Sequence, residues 1–206
     1  MTPLLVAFLL AAGAPLLVAT WRTSLLGLAL QGALLAAMAL ERGWPTTAAA
    51  AALLADLLLL RTWFAPRLLH RILLAQAAPR RSDVIPANLL SWTLAGALVL
   101  AAFQFAGLVE PAGGEPALQV AVAAAALLLG LLVLASQDRP FAQAVGLLRL
   151  ENAIALFELG GPSAPPLPVQ LALTSVLLLT VLTLGRFLRR LAAAPGTVAA
   201  PPGDPA

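Results

Sequence analysis

The sequence predicts an all-α membrane protein with seven transmembrane helices, its N-terminus outside and its C-terminus cytoplasmic. Three observations carry this. First, 61% of the 206 residues are hydrophobic, only 10% are charged, and mean hydropathy is +0.96. A soluble domain would carry about a quarter charged residues. Second, the charges fall in short clusters separated by Leu/Ala/Val runs of about 17–22 residues, the length that crosses a bilayer core as a helix. Third, basic residues gather in alternate connections, as positive charge marks the cytoplasmic side.

The runs place helices near 3–20, 24–40, 46–66, 87–108, 116–136, 141–159 and 168–187. "MTPLLVAFLLAAGAPLLVAT" has no basic n-region, so a retained first helix is expected rather than a cleaved signal peptide. The third helix is expected to continue past Pro66 as an amphipathic extension, "RLLHRILLAQAAPRR", carrying Arg67, His70, Arg71, Arg80 and Arg81. Residues 1–191 read as one polytopic membrane domain. The Pro/Gly/Ala-rich tail 192–206 reads as disordered.

The 67–83 loop and the tail with Arg186, Arg189 and Arg190 are basic and read as cytoplasmic. The opposite loops, "VEPAGGEP" and "LGGPSAPPLP", have no basic residue, and Glu110, Glu115 and Glu158 lie in or beside them. Arg22 then falls inside; Arg42, beside Glu41, falls outside as an exception. Trp21, Trp44, Trp63 and Trp92 lie near predicted helix ends and read as interfacial anchors. Gln104 and Gln119 read as packing contacts.

No cysteine and a single histidine, His70, exclude disulfides, thiolate-bound iron–sulfur clusters and the usual zinc sites. No cofactor is expected. The net charge is only +3, and the basic residues lie beside the membrane. The lipid bilayer is therefore an expected partner and nucleic acid is not. Laid at an offset of 120, Gln31 falls on Glu151 and Ala33 on Ala153, which allows a weak parallel repeat of 3–66 in 116–191.

The informative stretch is "GLLRLENAIALFELG", residues 146–160, which places Arg149, Glu151 and Asn152 in an apolar run. An ionisable residue at the bilayer centre costs about 2.5–3.5 kcal/mol on insertion scales, so it is paired, solvated or used. Glu151 lies roughly 15 Å from the cytoplasmic end of its helix, close to the midplane. Arg149, two residues earlier, is about 200° around the helix and cannot pair with it on one face. Glu158, two turns beyond Glu151, returns to nearly the same face. Two readings of Glu151 stand: a proton-transfer site and an interhelical polar clamp. Asp56 is a second midplane carboxyl. Arg61, five residues on, is about 140° away on an α-helix. Either Arg61 snorkels to the interface and Asp56 bonds a neighbouring helix, or Asp56 belongs to a relay. Arg149 is a candidate partner for Asp56 across helices.

The turn "SQDRPFAQ", then "VGLLRLENAIALF", an outer loop and a last helix resemble the membrane subunit called hydrogenase-4 component E. The likeness extends to "RTWFAPRLLHRIL", where Arg61 precedes Pro66 by five residues. The last three helices are also similar to subunit K of respiratory complex I and to the C subunit of multisubunit sodium/proton antiporters. Glu151 and Asn152 stand where those proteins carry a glutamate in a "GLE…NA" helix, about one turn later than in subunit K. The last helices of such proteins usually hold an acidic residue. Here "VQLALTSVLLLTVLTLG" has none.

The resemblance implies a non-catalytic subunit of a complex I-like [NiFe]-hydrogenase or formate hydrogenlyase in the inner (cytoplasmic) membrane. Antiporter-like membrane subunits and hydrogenase subunits would be its partners. Glu151, Asn152, Glu158, Asp56, Arg149 and Arg61 would be candidates for a proton or ion path. A purely structural assembly subunit and a subunit of a monovalent cation/proton antiporter are the alternatives.

Overall fold

A computed structural model describes residues 1–17, 21–43, 47–75, 89–136, 139–161 and 165–193. Among these the chain is helical and no strand occurs. The helices are α1 (Thr2–Leu17), α2 (Trp21–Glu41), α3 (Ala48–Ala75), α4 (Leu89–Val109), α5 (Gly114–Ala135), α6 (Pro140–Gly160) and α7 (Leu167–Ala193). Pro3, Pro116, Pro140 and Pro168 sit in first turns, where a missing N–H costs nothing. α7 continues beyond its expected end at 187. Trp44, Arg80, Arg81 and the tail from residue 194 lie outside the described residues.

Five helices, α2, α3, α4, α5 and α7, are long and apolar enough to cross a membrane. α1 is shorter. α6 matches the others in length, but Gln143, Arg149, Glu151, Asn152 and Glu158 interrupt its apolar run. Apolar helices in this number are consistent with a multi-pass membrane protein.

α1, α2, α5 and α6 pack together at the centre, with α4 against α5. α7 rides mainly on α3 and barely touches α6, its neighbour in sequence. α4 and α7 leave most of their apolar surface uncovered.

The third helix departs from α-geometry. Asp56–Phe64 is π-helical, and the Ala65 N–H reaches back to Leu60 O. Thr62 Oγ1 donates to Leu57 O at 2.7 Å, giving a side-chain donor to a carbonyl in the widened segment. Pro66 follows at once. In an α-helix its ring would press on the carbonyl four residues back. The local π-adjustment before it lets α3 continue to Ala75. The expected amphipathic extension is present: Ala65, Pro66, Leu69, Ile72 and Leu73 are buried, while Arg67, His70 and Arg71 are exposed.

Two large apolar clusters fill the interior, and a small third one, Ala102, Ala124 and Ala125, joins α4 to α5. One gathers Leu5, Phe8, Leu35, Met38, Val122 and Leu156. The other gathers Trp21, Leu25, Leu69, Phe141, Val145 and Leu188. Trp21 corrects the expectation that every tryptophan is an interfacial anchor. It is only 9% exposed and meets Phe141 edge-on, with ring centroids 5.0 Å apart. Trp63 and Trp92 are half exposed.

Candidate functional site

Where the two clusters meet, α2, α3 and α6 bring together buried polar side chains: Gln31, Asp56, Arg61, Arg149 and Asn152. Along α2 the change falls between Leu28 and Leu34, and along α6 between Leu148 and Ala153. Gln31 lies midway along its helix, so the layer sits at about mid-depth.

The centre of the layer is an ion pair. Arg61 Nε donates to Asp56 Oδ2 at 2.9 Å, and both side chains are buried. This corrects the expectation that Arg61 snorkels and that Asp56 finds its partner on another helix. The 140° separation assumed α-helical turns. In the π-helical segment hydrogen bonds run from i to i+5, which stacks Arg61 over Asp56. The same guanidinium crosses to α6, where Nη1 donates to Glu151 O at 2.9 Å and to Asn152 Oδ1 at 3.2 Å. Arg61 thus ties a carboxylate, a backbone carbonyl and an amide together.

Gly32 sets how closely α2 approaches this pair. A Cβ at Gly32 would stand 2.8 Å from Thr62 N and 2.9 Å from Arg61 C. These are backbone atoms, so only glycine fits without moving a helix.

Arg149 serves a different junction. It is 2% exposed. Nη1 donates to Ala11 O at 3.1 Å and Ala12 O at 3.3 Å, and Nη2 to Ser24 O at 2.8 Å. Pro15 has no N–H to give Ala11 four residues back, so that carbonyl is free to accept from α6. Gly27 makes the room: a Cβ there would be 2.8 Å from Arg149 Nη2. Asp56 is therefore bonded to Arg61, while Arg149 joins α6 to α1 and α2.

The two remaining candidates face outward. Glu151 and Glu158 are half-buried, on one side of α6, with Ile154 between them at 42% exposure. Among the described residues the Glu151 carboxylate makes no hydrogen bond or ion pair. Its backbone carbonyl, by contrast, belongs to the Arg61 knot.

The layer keeps hydrogen-bonding capacity in hand. Asp56 Oδ1, Asn152 Nδ2 and Gln31 Oε1 are buried with no hydrogen-bond partner among the described residues. A cavity of about 10 Å³ adjoins Arg61 and Asn152, walled by Leu28, Ala65, Leu148 and Leu177. That is room for about one water molecule. Among the described residues no group of His, Asp and Glu is arranged to hold a metal ion.

At one end of the bundle, Arg42 closes a second polar contact. Nη2 donates to Gln119 Oε1 at 2.8 Å and Nη1 to Gly161 O at 3.2 Å, while Gln119 Nε2 donates to Leu156 O at 3.0 Å. The basic residue that stood out among acidic loops is thus a brace between α2, α5 and α6. A cleft of about 370 Å³ opens beside it, lined in part by Glu110, Glu115 and Phe157.

Gln31, Gly27, Gly32 and Pro15 also shape this site, although none carries a charge that would point to it in the sequence. The available signals were two glycines and a glutamine inside one apolar helix, and a proline inside another. No protein-family model, no curated protein and no solved structure matches this chain.

Proposed function

We propose that this chain is a non-catalytic integral membrane subunit of a complex I-like, hydrogenase-4-type complex, and that Glu151 contributes to a proton or ion path at its boundary with a neighbouring subunit. The observation that carries the reading is the mid-depth polar layer ending in an outward-facing carboxylate. A carboxyl half out of water, beside a fixed Asp56–Arg61 pair, can load and release a proton when a partner charge approaches. Arg61 holds the Glu151 backbone carbonyl and the neighbouring Asn152 amide oxygen, so the position of Glu151 is set from inside the subunit. The chain spans the inner membrane seven times, N-terminus outside. In support, cores that join Trp21, Ile72, Phe141 and Leu188 bring the ends bearing Arg22, Arg67, Arg71, Arg139 and Arg186 together. Metal and electron chemistry would belong to partner subunits. The test is Glu151→Gln in the assembled complex, with substrate-driven proton movement as readout. Loss of pumping with assembly and electron transfer intact supports the path. Unchanged pumping removes it.

A second reading has its own observation. Arg149 and Arg61 each fasten α6 to other helices through backbone carbonyls. On this reading the polar layer is a clamp, and the chain is an assembly subunit of the same complex or of a cation/proton antiporter. Deletion that scatters the partners, together with a silent Glu151→Gln, selects it.

A further inference from the structure

The far end of α7 and the extension of α3 bring together a second group of charges, away from the polar layer. A Cβ at Gly185 would stand 3.0 Å from Leu68 Cδ2 and 3.7 Å from Ile72 Cδ1, so those two side chains face α7. Arg67 and Arg71, each one residue earlier, flank this seam one turn apart and are exposed. Across the seam Arg186 and Arg190 are also exposed, at the same spacing. No Asp or Glu occurs in 65–75 or 181–193. Exposed aromatic rings adjoin both pairs. Trp63 is 56% exposed and has the Arg67 guanidinium 5.5 Å from its ring centroid; Phe187 is 50% exposed, three residues before Arg190 on the same side of α7.

We propose that this crossing binds an anionic phospholipid, with the arginine pairs gripping headgroup phosphate and Trp63 and Phe187 lying along the acyl chains. Membrane orientation needs only positive charge near the surface. It does not need arginine pairs on two helices to flank one packed seam. A guanidinium fork matches phosphate oxygens in two parallel hydrogen bonds, and two such pairs match a headgroup better than a diffuse cloud of charge does. Continuity with exposed rings on apolar helices favours a lipid over an acidic soluble partner, which would leave those rings uncovered. The inference rests on the membrane reading and is independent of the hydrogenase proposal.

The test uses the full chain, purified in detergent and mixed with defined phosphatidylglycerol, cardiolipin and phosphatidylcholine, with bound lipid read by native mass spectrometry. Wild type is expected to retain the two anionic lipids over phosphatidylcholine. Each of R67Q/R71Q and R186Q/R190Q is expected to weaken anionic-lipid retention about 30-fold at low salt, about fivefold per arginine. Phosphatidylcholine retention is expected not to change. If a double variant loses its helical circular dichroism, R71Q alone decides the matter, with an expected loss of about fivefold. Equal retention of anionic and neutral lipid by wild type would overturn the proposal. So would unchanged retention by the folded variants, including the case in which only an acidic polypeptide distinguishes them from wild type.

Discussion

Asp56 lies in the polar layer and Glu151 at its edge, on two helices tied by the Arg61 side chain, and the two acids meet different fates. Asp56 is 4% exposed and bonded to Arg61 within its own helix. Glu151 has its carbonyl bound by that same arginine while its carboxylate stands half-buried on the outer side of α6. One acid is tied into the fold of the chain itself. The other is left to whatever packs against it. Local helix geometry makes the difference, because a π-helical turn lets a residue five places along reach back, and no comparable cation follows Glu151.

The contrast predicts a graded series of effects, measurable by unfolding the purified chain in detergent. Asp56→Ala is the largest, because it strands a buried guanidinium. We expect a loss of about 3–5 kcal/mol, with much of it recovered in Asp56→Leu/Arg61→Met, where the pair is replaced by apolar groups. A double variant no more stable than Asp56→Ala would break the contrast from the buried side.

Gly32→Ala comes next. Its Cβ would meet the backbone at Arg61 and Thr62, and forcing α2 away should cost about 1–3 kcal/mol. A neutral Gly32→Ala would mean that α2 and the π-helical segment do not approach as described. Thr62→Val removes the hydroxyl bond to Leu57 O and should cost about 1 kcal/mol.

Glu151→Gln is expected to change the stability of the isolated chain by less than about 0.5 kcal/mol, as for an outward residue without a partner. A loss comparable to that of Asp56→Ala would show that Glu151 is spent on the fold after all.

The apolar helices were legible because a run of Leu, Ala and Val about 20 residues long has few other uses. That Glu151 and Glu158 share one face of α6 follows from helical periodicity alone, and so does the separation of Arg149 from Glu151; that the face is partly exposed does not. The Asp56–Arg61 pair was not legible. Its spacing is wrong for an α-helix and right for a π-helix, and Pro66 was the only local hint that the helix had to adjust. The destination of Arg149 was hidden for another reason. It depends on Pro15 freeing Ala11 O and on Gly27 leaving space, and both reside far away in sequence. Trp21 was misread because closeness to a helix end does not distinguish a lipid interface from a packed one, and Phe141 takes the ring.

On the proposed reading, the Glu151 side of α6 faces another polypeptide while the Asp56 side of α3 faces inward. The absence of cysteine makes single-site labelling clean. A photo-crosslinking residue at Ile154, between the two outward acids, should give an adduct with a second membrane polypeptide when irradiated in native membranes. The same residue at Leu57, fully buried beside Asp56, should crosslink only within the chain. Adducts at Ile154 with lipid alone would contradict the account.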